Sequence, residues 1–200
     1  QLKLLADAGP QYLGMPESVG GAMSPGANLS AFEELVLADP SLQIKSGVQW
    51  GLFGSAVLNL GTEEHHKKWL PSILDLSMPG AFAMTEIGHG SNVAEVETTA
   101  TYDVETDEIV VHSPTVSATK TYIGNAAKDG RAAAVFAQLV VPSVGDVADG
   151  ENARDLGLGV LVDGDLAHFA ELDAQRFESE IRTIGSAARR VEDEVRGLHF

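Results

Sequence analysis

The 200-residue chain has no cysteine. Disulfides, thiolate metal sites and cysteine nucleophiles are therefore excluded. It is also short of cations, with 13 Lys and Arg against 29 Asp and Glu, for a net charge of −16. Nucleic-acid binding needs clustered basic residues, so DNA, RNA and anionic membranes are poor partners. An anionic ligand must then be met by local donors, because the overall field repels it. No apolar run reaches the roughly 18 residues of a spanning helix. The opening "QLKLLADAGP" lacks the basic start, apolar core and cleavage site of a signal peptide. The expectation is a cytoplasmic protein whose chain, lacking an initiator Met, begins inside a longer one.

What remains is ordinary for a folded chain, 44% hydrophobic and 21% charged. The length suffices for one sizeable core or two small domains. The first third reads as helical. In "NLSAFEELVLAD", Ser30 with Glu33 predicts a capping box, followed by Phe32, Leu35 and Val36 on one face. Asp39-Pro40 ends that helix, since the residue before proline is pushed from the α region. A second helical stretch carries Gly47, Gly51 and Gly54, whose helix cost implies tight packing or close backbone approach. Gly61-Thr62 closes it and opens a helix with Glu63 and Glu64 at its start and Lys67 and Lys68 later, as the helix dipole prefers. Pro71 starts or kinks a last turn. Tyr12 and Trp50 are expected in the helical core.

From Gly80 the pattern alternates. Strands are predicted at 97–102 and 109–113 as a hairpin, and at 131–141 as a strand buried on both faces. A weaker strand falls at "GLGVLV". Helix and strand are segregated, which argues for α+β: an N-terminal helical region (1–78), a small β-barrel-like domain (79–165) and a C-terminal helix (166–200). In that last segment Phe177, Ile181, Ile184, Ala188, Val191, Val195 and Leu198 form an apolar stripe, to be docked on the chain's own core or used in dimerisation.

The chemistry concentrates in "GAFAMTEIGHGSNV". Thr85, Gly88, Gly90, Ser91 and Asn92 could offer donors to the pyrimidine edge and pyrophosphate of a flavin, the glycines letting the backbone approach. The competing reading is a plain polar β-corner. Glu86 reads as structural rather than a base, and His89 as a loop residue making a local hydrogen bond. Lys120 could meet a phosphate or cap a strand. His65-His66 has the wrong spacing for a shared metal, and His168 and His199 have no ligand-type neighbour. No metal site is expected.

Three segments together carry a resemblance. "EELVLADPSLQIKSGVQWGLFGSAVLNLGTEEHHKKWLPSIL", "AFAMTEIGHGSNV" followed by "ETTATYD", and "SPTVSATKTYIGNAA" resemble, in order, the helical domain and two flavin motifs of the acyl-CoA dehydrogenase and acyl-CoA oxidase superfamily. The Gly-His-Gly form points to the oxidase side. The resemblance implies FAD as cofactor, acyl-CoA as partner, and oxidation of acyl-CoA to trans-2-enoyl-CoA in fatty-acid metabolism. It implies that Met84 and Thr85 lie against the flavin, and that Tyr122, Ile123 and Gly124 form the turn covering its ring. Ser91 would lie near the pyrophosphate or the CoA arm. Glycine at 124, where many dehydrogenases have a hydroxyl, would leave room for dioxygen.

In the family a carboxylate from a C-terminal helical bundle takes the α-proton while the β-hydride passes to the flavin. That bundle finds no match before Phe200, so the catalytic residue is unassigned. Glu171, Glu178 and Glu180 read as a solvated helix face. The alternative to a truncated or divergent enzyme is a non-catalytic remnant that binds flavin or acyl-CoA, or assembles with a full-length relative. A homo-oligomer or partner subunit is expected, since family flavin sites are completed by a neighbour.

Overall fold

The computed structural model describes residues 1–103, 106, 108–140 and 157–163. The expected helix at 166–200, with its apolar stripe, His168, His199 and the three glutamates, lies outside the described residues.

Helix α1 (Leu2–Ala8) ends where Gly9 turns left-handed at φ 83°. Helix α2 (Pro25–Ala38) starts earlier than its sequence suggests. Pro25 occupies the first turn, where a missing N–H costs nothing, and Ser24 is the N-cap. Ser30 therefore lies inside the helix, and the expected capping box with Glu33 does not form. Asp39 is extended and accepts from the amides of Ser41 and Leu42, capping α3 (Pro40–Ser46). One helical run continues through a π-helical segment, Gly47–Gly54, into α4 (Ser55–Leu60). Thr62 then caps α5 (Glu63–Leu74) in a reciprocal box with His65. Pro71 lies within α5 without ending it.

The core explains which helices matter. Trp50, Phe53, Trp69, Leu70, Ile73 and Leu74 from the π segment and α5 form one buried cluster with Ala132 and Ala134. Trp50 takes its expected core place, and Tyr12 packs against the cluster half-buried. Helix α2 departs from expectation: none of its residues is buried. Phe32 and Leu35 border a cleft rather than a core, and the Phe32 ring lies against Gly47.

Among the described residues five strands make one mixed sheet. They are β1 (Gly80–Ala83), β2 (Thr99–Asp103), β3 (Glu108–His112), β4 (Ala132–Val140) and β5 (Gly157–Asp163). The predicted hairpin is β2–β3, antiparallel with Ala100 opposite Val111. The long β4 pairs in parallel with β1 through its first half and with β2 through its second. Strand β5, the weak sequence signal, pairs antiparallel with β4. Strand β4 is buried on both faces, as predicted: Ala132 and Ala134 meet the helices, while Ala133, Val135 and Ala137 join a second core with Ala81, Ala83, Ile109 and Val111. This sandwiching holds β1, and the segment that leaves it, rigidly between the two cores.

Candidate functional site

Strand β1 delivers the chain into the Met84–Asn92 loop, and the second motif runs antiparallel beside it. Ile87 N–H donates to Thr119 O (3.0 Å), Gly88 N–H to Ser117 O (2.9 Å), and Thr121 N–H to Thr85 O (3.1 Å). Two segments some thirty residues apart in sequence are thus one ladder. The structure brings Met84 and Thr85 to one side of it and the 122–124 turn to its end.

The ladder is fastened by a buried charge pair. Glu86 is only 1% exposed, and its Oε1 lies 3.0 Å from Lys120 Nζ. The carboxylate also accepts from Thr98 Oγ1 (2.6 Å) and from the amides of Glu97 and Thr98. Lys120 further donates to the carbonyls of Met84 (3.0 Å) and Phe136 (2.7 Å). Burial disfavours the Glu86 anion, but Thr98, the two amides and Lys120 outweigh it and hold the carboxyl below its ordinary range. Burial pushes the Lys120 ammonium down against the pull of Glu86. All the donors of one group and acceptors of the other are engaged, so the pair is structural. Glu86 is not poised as a base, and Lys120 ties strands together rather than waiting for a phosphate.

A second, shallower cluster holds the loop's outer edge. Glu97 accepts from Thr115 Oγ1 (2.6 Å) and from His89 Nε2 (3.0 Å), which is the local bond expected of His89. Ser117, Thr115 and His89 together draw the Glu97 carboxyl down to about 2. With the folded value below the ordinary 4.5, this anchoring is complete above the ordinary value and is lost as pH falls through the folded one. Wild type is therefore expected to lose loop order on acidification between those values, over and above the Glu97→Gln variant. Hydrogen exchange of the His89 and Gly90 amides measures the difference, and identical acid profiles would refute the anchor.

The turn after the ladder is conformationally costly. Tyr122 adopts φ 56° and Asn125 φ 70°, a left-handed region that aromatic side chains avoid. Asn125 Nδ2 donates to Gly80 O (2.8 Å), pinning the turn to β1. Tyr122 is left 92% exposed, free to cover a ligand, while Ile123 packs inward on the second core. A Cβ at Gly124 would sit 3.2 Å from both Val48 methyls, so the turn abuts the π segment closely.

Val48 is also a wall of a cleft of about 500 Å³ among α2, α3, the π segment and the loop after α1. Leu29, Phe32, Leu35 and Leu52 make it mostly apolar. Neither this cleft nor Val48 is marked by any motif in the sequence. The glycines of the π segment were the only local sign of it.

Several of the donors named from the sequence have hydrogen-bonding capacity to spare. The hydroxyls of Thr85 and Ser91 and the amide of Asn92 have no side-chain partner among the described residues. Ser91 and Gly90 are exposed, and nothing lies within 4 Å of a Cβ built at Gly90. These groups suit a ligand with a hydrogen-bonding ring edge and a phosphate arm. Of the two neighbouring histidines, His65 caps α5, and His66 Nε2 donates to Leu58 O (2.8 Å). Among the described residues no cluster of His, Asp and Glu could hold a metal.

Residues 1–77 match the family described as acyl-CoA dehydrogenase, N-terminal domain. Peroxisomal acyl-coenzyme A oxidase 2 of Arabidopsis thaliana is 39% identical over 160 residues, which are 80% of this chain and 20% of that protein. Acyl-CoA oxidase 3 of Yarrowia lipolytica superposes with a TM-score of 0.57 at 36% identity, over 71% of this chain and 20% of that one. Acyl-CoA dehydrogenase of Geobacillus kaustophilus superposes at 0.62 and 25% identity, over 81% and 39%. The chain spans about a fifth of the length of the curated relatives it matches.

Proposed function

Because the chain belongs to the acyl-CoA dehydrogenase and acyl-CoA oxidase superfamily, we propose that it binds FAD and an acyl-CoA in adjoining places. The reaction served is oxidation of the acyl-CoA to trans-2-enoyl-CoA. One observation carries the reading: the Tyr122–Gly124 turn, which would cover the flavin, abuts Val48, and Val48 lines the apolar cleft. A ring held under that turn and an acyl chain lying in that cleft would be neighbours.

Each part of the chain then has a task. Thr85 donates its hydroxyl to the ring's hydrogen-bonding edge, and Met84 lies against the ring. Ser91 and the exposed loop around it meet the phosphate or CoA arm. Tyr122 shields the ring from water, and Gly124 leaves space beside it. The cleft desolvates the acyl chain, which contributes binding in proportion to apolar area removed from water. FAD supplies the acceptor for the hydride that leaves the β-carbon. Removal of the α-proton needs a base within hydrogen-bond reach. No carboxylate lines the cleft among the described residues, so in this reading the base would have to come from outside them. That same observation favours the second reading, a flavin- and acyl-CoA-binding subunit that lacks the chemical step. The peroxisomal relatives extend the expected setting beyond the cytoplasm.

Thr85→Val is the direct test. Loss of one hydroxyl donor should weaken FAD binding about threefold to tenfold, measured by flavin fluorescence on titration. Unchanged retention would remove Thr85 from the site.

A further inference from the structure

From Thr85 to His89 every backbone N–H but one is spent within the fold. Glu86 N–H donates to His89 O (3.3 Å), Ile87 N–H to Thr119 O, Gly88 N–H to Ser117 O and His89 N–H to Glu86 O (3.2 Å). Thr85 N–H has no partner among the described residues, and Thr85 is half-buried. Backbone donors away from bulk water are nearly always paired, so this one is left for a ligand.

The same peptide unit carries a second observation. Its carbonyl, Met84 O, accepts from Lys120 Nζ at 3.0 Å. The Lys120 side chain is only 9% exposed, and Glu86 and Phe136 O hold its ammonium in place. Among the described residues no peptide is cis, and in a trans peptide the C=O and N–H project from opposite edges of one plane. Thr85 N–H therefore faces away from the Lys120–Glu86 pair. A hydrogen bond from an ammonium is charge-assisted and roughly twice as strong as a neutral one. It draws electron density onto Met84 O, peptide resonance passes the demand to the nitrogen, and hydrogen bonds in series polarise one another. Thr85 N–H is thereby a stronger donor than an ordinary amide.

We propose that Lys120 acts through the Met84–Thr85 peptide to strengthen Thr85 N–H toward an electron-rich ring edge, and so favours reduced over oxidised flavin; the proposal rests on the flavin reading above. The oxidised ring is neutral, whereas two electrons and a proton give an anion with its charge on the pyrimidine edge. A donor polarised in advance gains more from the anion than from the neutral ring. Lys120 is a positioning residue, reaching the flavin only through that peptide.

The test uses the double variant Glu86→Gln with Lys120→Met, in which neither charge is stranded. Beside it stands Glu86→Gln alone, which keeps the Lys120 donor on Met84 O. With FAD bound to the 200-residue chain, reduction by dithionite against a reference dye reads the midpoint potential. The double variant should lose about tenfold in preference for reduced over oxidised FAD, about 30 mV for a two-electron couple. Glu86→Gln alone should stay within about twofold of wild type or favour reduction. A merely structural role would lower both alike, because both remove the buried carboxylate that fastens the ladder. Equal losses in the two variants, or an unchanged or raised potential in the double variant, overturn the role of Lys120 and leave the flavin site standing. A wild-type chain that takes up no FAD overturns the flavin site and the role of Lys120 with it.

Discussion

Lys120→Met is expected to destabilise the fold by about 3–5 kcal/mol, the cost of leaving one member of a buried ion pair without its partner. Methionine keeps the length of the side chain, so the loss is of charge and hydrogen bonds rather than volume. Glu86 would keep the Thr98 hydroxyl and two amides but lose its counter-charge. Met84 O and Phe136 O would lose their donor. Its carboxyl, now held below the ordinary range, would rise. The variant should therefore lose less further stability than wild type as pH falls below the ordinary carboxylate range, because less of the depressed-carboxylate stabilisation remains to be lost. Chemical denaturation of Lys120→Met, Glu86→Gln and the double variant measures the coupling. The double variant should recover part of the single losses, since neither charge is then stranded. Additive losses would mean that the pair does not act as a unit. The effect bears on function, because Thr85 and Ile87 flank Glu86 while Thr119 and Thr121 flank Lys120, and all four carry the ladder.

Gly80→Ala should cost about 1–3 kcal/mol, the usual range for overpacking a core. A methyl at Gly80 would overlap the Phe53 ring, which is fully buried between the π segment and the sheet. The ring has no room to retreat among Leu70, Ile73 and Leu74. Gly80 also donates its N–H to Gln49 Oε1 (2.9 Å) and accepts from Asn125 through its carbonyl. It is the point where helices, sheet and the Tyr122 turn converge. Adding Phe53→Leu should restore part of the loss by vacating the overlap. If Gly80→Ala unfolds at the wild-type denaturant concentration, this close approach does not limit stability.

What the sequence disclosed was local. Period-two alternation and small apolar residues identified β4 and the β2–β3 hairpin, because burial on a pleated strand repeats every second residue. Thr62 with the following acids marked a helix start, and Asp39-Pro40 a helix break. The missed start of α2 is also instructive. "SPGAN" has the composition of a loop, yet proline in the first turn is compatible with a helix, and the Ser30 signal lay within it.

Contacts between distant segments were not legible. Nothing in "AFAMTEIGHG" names Lys120 as the partner of Glu86. The parallel pairing of β4 with both β1 and β2 depends on non-local closure that no window of residues contains. The candidate site is legible in the sequence only as motifs, whereas the geometry around it comes from the two cores on either face of β1. The cleft beside Val48 belongs to neither motif. It lies between α2 and the π segment.

The Thr85 loop and the Tyr122 turn are proposed to form a flavin site next to an acyl cleft. The visible spectrum of the purified chain, recorded with added FAD and again after adding hexadecanoyl-CoA, tests it most directly. A protein-bound flavin band near stoichiometry, perturbed by the thioester, is the predicted result. A chain that stays colourless after FAD addition and gel filtration would contradict it.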